Sequence, residues 1–178
     1  METLLPNVDW LEIWQASLDT LNMLGGSMLF TVLFGLPLGV LLFLTGPRQM
    51  FEQKGLYAVI SLVVNVLRSV PFVILLILLI PVTVVITGTS LGVAGAIPPL
   101  VVGATPFFAR LVETALREVD RGIIEATQAM GASTRQIIFN ALLPEALPGI
   151  LAAITVTAIT LVSLSLIHIS EPTRRRGI

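Results

Sequence analysis

Apolar residues run along this chain in stretches too long for ordinary soluble helices, and short polar islands separate them. No charge occurs between Asp19 and Arg48. A bilayer is crossed by about 20 apolar residues, so one span fits at residues 21–44, where Gly25, Gly26, Gly35 and Gly39 predict close contact with a neighbouring helix. Gly46 and Pro47 end it. Before it, Met1 to Asp19 holds four carboxylates and no Lys or Arg, unlike the basic start of a signal peptide. Trp10, Leu11, Trp14, Leu18 and Leu21 share a helical face. They predict either a segment lying at the membrane interface or the mere beginning of the first span.

After Arg48, Glu52 and Lys54 the chain turns apolar again, interrupted by Arg68. Ser69 to Ile80 alone would reach roughly 18 Å, short of the roughly 30 Å hydrocarbon core. The second span is therefore placed at residues 58–80. It carries Arg68 near mid-depth, with Asn65 one turn earlier and Pro71 one turn later. A charge at that depth faces a bundle interior or a watery path, which makes Arg68 and Asn65 candidates for a translocation path. The alternative is a helix broken near Pro71, with Arg68 reaching the headgroups. Pro81 to Leu91 reads as a tight link. A third span covers residues 92–108, made irregular by Pro98, Pro99 and Pro106 and ended by Arg110. Gly149 to Ile169 is long enough for a fourth.

Between spans three and four lies the polar stretch Glu125 to Pro144, which reads as two short helices around a sharp turn. Gly131 can end the first in the left-handed conformation, and Ser133 with Gln136 has capping-box spacing for the second. Ile137, Ile138, Ala141 and Leu142 give that second helix an apolar face, and Pro144 is expected to stop it.

Composition agrees with a multi-span membrane protein: 55% of the 178 residues are hydrophobic and 12% charged, about half the charge of a soluble domain. The absence of cysteine excludes disulfides and thiolate metal sites. Up to the fourth apolar stretch, basic residues outside the spans fall after span one (Arg48, Lys54) or after span three (Arg110, Arg117, Arg121, Arg135). The positive-inside rule then puts the N-terminus outside and the 110–148 loop in the cytoplasm.

Charge also narrows the function. The second loop helix carries only Arg135, too little for a nucleic-acid reader. The one histidine is His168, and no carboxylate lies within the predicted spans, which argues against acid/base catalysis, a metal site and proton coupling there. A single Lys without a preceding Gly-rich loop leaves no phosphate-binding loop. Such a chain is either a passive pore or scaffold, or a transporter driven by a partner that pushes on the loop.

The residues carry a resemblance. Glu125, Ala126 and Thr127, then Gly131, then Leu143 and Pro144, resemble the EAA loop of binding-protein-dependent ABC importer permeases, with Thr127 where a second Ala is usual and Ala141 where a larger aliphatic is usual. GLPLGVLL from Gly35, NVLRSVPFVILL from Asn65, IPVTVVITGTSLG from Ile80, GATPFFARLVETAL from Gly103 and LLPEALPGI from Leu142 are similar to the methionine-import (MetI-like) permeases, over about Trp14 to Val162.

The resemblance implies an all-α integral membrane protein, a helical bundle of the type I ABC importer permease kind with about four of its five spans. It implies an amino-acid importer in the bacterial cytoplasmic membrane, with methionine favoured as substrate. The implied partners are a second permease copy, ABC ATPase subunits that bind the ATP, and a periplasmic or lipid-anchored substrate-binding protein. The loop becomes the coupling segment: Glu125 and Gly131 fix its shape, Ile137 and Ile138 fill the ATPase groove or brace the loop, and Ala126, Leu143 and Pro144 complete the interface. This chain itself holds no cofactor, metal or catalytic residue in that reading.

Residues 1–163 are read as the permease domain and 164–178 as a non-native tail. The stretch LSLIHISEPTR from Leu164 resembles a translated sequencing-library adapter, and a fourth span would put Arg174, Arg175 and Arg176 on the outer side, against the charge rule.

Overall fold

The structure is a computed structural model that describes residues 9–47, 52–89 and 92–174, with side chains as far as residue 166. Arg48, the side chain of His168 and the basic end of the chain lie outside the described residues. What is described is helical: α1 (Trp10–Thr45), α2 (Lys54–Ser69), α3 (Phe72–Thr87), α4 (Gly92–Arg117), α5 (Arg121–Ala129), the single turn α6 (Thr134–Gln136), a π segment (Ile137–Leu142) and α7 (Leu143–Arg174). Three stretches are long and apolar enough to cross a membrane, namely α1, α4 and Thr134–Leu166, and the bent pair α2 and α3 makes a fourth if counted as one.

The first 12 residues of α1 are not a separate segment lying in the membrane plane. Asp9 caps the helix, its carboxylate accepting from the amides of Leu11 (3.0 Å) and Glu12 (3.3 Å). From there α1 runs unbroken for 36 residues, through Pro37. The aromatic face of Trp10 and Trp14 thus belongs to the same unbroken helix as the first span.

The second span differs more. Val70 (φ −73°, ψ 126°) and Pro71 (φ −57°, ψ 137°) are extended, so α2 ends at Ser69 and α3 starts at Phe72, bent by 108° from it. The cause is local: a proline ring disfavours the helical conformation for the residue before it. The single span expected at residues 58–80 is therefore two helices, and Arg68 lies exposed in the last turn of α2. The link expected at Pro81 to Leu91 is shorter too, because α3 continues through Pro81 and ends at Thr87, with Gly88 as its cap.

α4 is the hub, packing against α1, α2, α3 and α7. Its three prolines do not interrupt it, and it passes Phe108 and Arg110 to end at Arg117. Glu113 therefore sits inside a membrane-crossing helix, so the expectation that the spans hold no carboxylate is corrected. α1 and α4 run parallel in close register. A Cβ on Gly35 would lie 2.5 Å from the Phe108 ring, and one on Gly39 2.7 Å from the Cβ of Val112. Small residues on α1 let the two backbones approach, which in lipid is the main source of helix association. Around this contact Phe43, Phe108, Val112 and Leu116 form the principal buried cluster with Ile124, Ile137, Leu142 and Ile150.

Pro144 does not stop the helix after the turn. The chain widens into the π segment, where the Leu143 amide donates to the Ile138 carbonyl five residues back, and continues through Pro144 and Pro148 into α7. A proline ring collides with the carbonyl four residues earlier in a regular α-helix, and a widened turn just before it relieves that collision. The predicted second loop helix is thus the start of the last long helix.

Candidate functional site

The turn between α5 and α6 is built by local chemistry. Asp120 caps α5 by accepting from the Gly122 amide at 2.9 Å. Thr127, the departure from the usual second Ala, donates its hydroxyl to the carbonyls of Ile123 (3.0 Å) and Ile124 (2.8 Å), so it adds no unsatisfied group. At the far end Gly131 has φ 79°. The Ala132 amide donates to the Thr127 carbonyl at 3.2 Å and the Gly131 amide to the Gln128 carbonyl at 3.0 Å. That pair of bonds is a Schellman ending, which leaves few carbonyls of α5 unsatisfied. Ser133 then forms a complete capping box: its Oγ accepts from the Gln136 amide at 3.3 Å, and its own amide donates to Gln136 Oε1 at 2.9 Å.

One face of this turn is anchored and the other is open. Ile124 and Ile137 are buried in the principal cluster, with Ile138 and Leu143 half-buried against it. Glu125, Ala126 and Pro144 are exposed. Two large apolar side chains outside the predicted interface set are also exposed, Met130 at 78% and Phe139 at 60%. Phe139 lines a shallow recess with Arg135, Gln136 and Asn140.

A second constellation joins α2 to α4 just before this turn. Glu113, its side chain 5% exposed, accepts from Arg110 Nη1 at 2.7 Å on one oxygen. The other oxygen accepts from Arg117 Nη2 at 2.8 Å and Nε at 3.1 Å, and from the Tyr57 hydroxyl at 3.1 Å. Arg110 Nη2 reaches across to the Ser61 hydroxyl and to Asn65 Oδ1 at 3.1 Å. Of the two predicted path residues, Asn65 is therefore brought into a polar cluster, while Arg68 forms no ion pair among the described residues. The signal was present in the sequence, since Arg110, Glu113 and Arg117 follow helical spacing. Ending the span at Phe108 concealed it.

A sequence model of the family described as binding-protein-dependent transport system inner membrane component matches residues 35–168. The chain belongs to this family. The D-methionine transport system permease protein MetI of Salmonella typhimurium is 54% identical over 147 residues, which is 83% of this chain and 68% of that protein. The methionine import system permease protein MetP of Bacillus subtilis is 50% identical over 161 residues, 90% of this chain and 72% of the relative. A solved inward-facing structure of the MetNI methionine ABC transporter superposes with a TM-score of 0.84 at 49% identity, covering 89% of this chain and 74% of that one. The chain is thus an ABC importer permease, and its helical bundle is that of the family. The family match extends to residue 168, a few residues past Val162, where the resemblance was expected to end.

Proposed function

We propose that this permease carries methionine across the cytoplasmic membrane of a bacterium, driven by ATP hydrolysis on a separate ATPase subunit. The observation that carries the reading is the rigid α5–α6 turn, standing at the edge of an apolar bundle half identical to methionine permeases. A partner can move the bundle only through a surface element that does not deform. The Schellman ending and the capping box make this turn such an element.

In this reading the ATPase seats on the exposed side of the turn, on Glu125, Ala126 and the flanking Met130 and Phe139, with Pro144 at its margin. Gly131 sets the angle of the turn. Ile137, Ile138 and Leu143 brace it from within, since they face the permease's own core. ATP binds the partner, and this chain is a transport subunit with no cofactor of its own. Two permeases, two ATPases and an external substrate-binding protein make the working unit. Arg68 and Asn65, at the end of α2 beside the break, lie where a broken helix offers polar groups to a solute.

The test is co-purification with candidate ATPase subunits, followed by uptake of labelled amino acids into vesicles. ATP-dependent methionine uptake is the expected result. Uptake that proceeds without ATP or without the ATPase would make the chain a passive pore.

A further inference from the structure

Tyr57, Ser61 and Asn65 are spaced i, i+4, i+8 on α2, and Arg117, Glu113 and Arg110 face them from α4. Residues so spaced stand one above another on a helix face. The two rows therefore make a polar ladder about 12 Å long at 1.5 Å per residue, in a chain whose other helix contacts are mostly apolar. We infer that this ladder, with Glu113 as its centre, transmits displacement of the α5–α6 turn to α2 and to the break at Val70–Pro71.

Three observations place it on that route. Only Glu118, Val119 and Asp120 separate Arg117 from α5, so Arg117 is the member of the ladder nearest to α5 along the chain. Arg117 also gathers other helix ends: its guanidinium lies 6.0 Å from the centre of the Tyr57 ring on α2, and a Cβ on Gly46, at the end of α1, would come within 2.6 Å of its Nη2. At the far end Asn65 precedes by one turn the last residue of α2, Ser69, whose hydroxyl donates to the Asn65 carbonyl at 2.7 Å. The ladder thus starts beside the turn and stops beside the break.

Its chemistry suits transmission better than apolar contact does. Apolar helix faces slide past one another at little cost, because one set of contacts replaces another. Directional bonds to a buried carboxylate do not slide, since each lost bond leaves a charge in a poorly solvating place. α2 must then follow α4 as one body, and the extended residues Val70 and Pro71 are where the chain can flex. Glu113, Arg110 and Tyr57 are positioning residues here.

This inference rests on the permease reading, and one experiment separates the two. The permease is co-purified with its ATPase subunit, reconstituted in vesicles, and assayed for ATP hydrolysis and methionine uptake in parallel. Glu113→Gln keeps the shape and one accepting oxygen, which can serve Arg117 and Tyr57, but removes the charge and the acceptor that faces Arg110, and Tyr57→Phe removes one hydroxyl while keeping the ring. For Glu113→Gln, hydrolysis should stay within about twofold while methionine moved per ATP falls about tenfold, the usual size of a coupling between sites. Tyr57→Phe should lower the same ratio by about threefold, and it carries the test alone if Glu113→Gln does not insert. A merely structural staple predicts the opposite: hydrolysis and uptake fall in step with the amount of complex, at a constant ratio. That result, or an unchanged ratio in both variants, overturns the ladder's role. Failure of the unsubstituted protein to show ATP-dependent uptake would instead refute the permease reading.

Discussion

Gly131 shows how one backbone angle sets a functional surface. Its φ of 79° lies where an L side chain is strained, yet a Cβ there would meet nothing within 4 Å. The cost of substitution is therefore torsional, about 1–2 kcal/mol for a bulky residue and less for Asn. Gly131→Val should leave the protein in the membrane but reduce ATPase co-purification and uptake by about tenfold, whereas Gly131→Asn should retain most of both. Equal behaviour of the two variants in that pull-down would refute a torsional role. The neighbouring apolar residues divide by direction. Ile137→Ala, at 2% exposure, should cost about 2–5 kcal/mol in detergent unfolding. Phe139→Ala, at 60% exposure, should leave the melting temperature unchanged and weaken the ATPase contact. The turn was legible in the sequence because Gly131, Ser133 and Gln136 act on their own neighbours. Whether the Ile137 face packs on the permease itself or on a partner was not, because periodicity gives an apolar face and not what covers it.

At the scale of elements, the errors of sequence reading share a cause. Arg110, Pro81 and Pro144 were taken as ends, but Arg110 lies within α4, paired with Glu113, and Pro81 and Pro144 lie inside helices, as Pro98, Pro99 and Pro106 do within the span where they were expected. Apolar neighbours hold a helix together across a missing amide in a way that local propensity cannot anticipate. Pro71 differs because Val70 takes the extended conformation that the ring favours. The close pairing of α1 and α4, by contrast, was visible in the glycines. Gly39→Ala should destabilise the bundle by about 1–3 kcal/mol, since its Cβ would press on Val112 and on the Ala109 carbonyl, 2.8 Å away. Gly25→Ala, where a Cβ meets nothing within 4 Å, should have no effect in the same thermal unfolding assay.

The whole molecule has two chemically different ends, and from them follows a prediction of its orientation. The end of α1 at Gly46, the start of α2 and the end of α4 meet around Arg117, and the same end carries Lys54 and continues into the turn with Arg121 and Arg135. The opposite end holds the start of α1 with Asp9, Glu12 and Asp19, where residues 9–20 contain no Lys or Arg. The positive-inside rule predicts that the basic end is cytoplasmic and that α1 begins outside. Helix length sharpens the expectation. The 36 residues of α1 extend about 54 Å, and fitting that length within a core of about 30 Å would need a tilt beyond the 40° that spans adopt. Its first turns must therefore emerge from the hydrocarbon. The absence of native cysteine lets single cysteines report this cleanly. In intact cells a membrane-impermeant maleimide should label Leu11→Cys, fail to label Leu29→Cys in mid-helix, and label Arg135→Cys only after the cytoplasmic side is opened. Labelling of Arg135→Cys in sealed cells would invert the topology, and with it the side from which an ATPase can reach the turn.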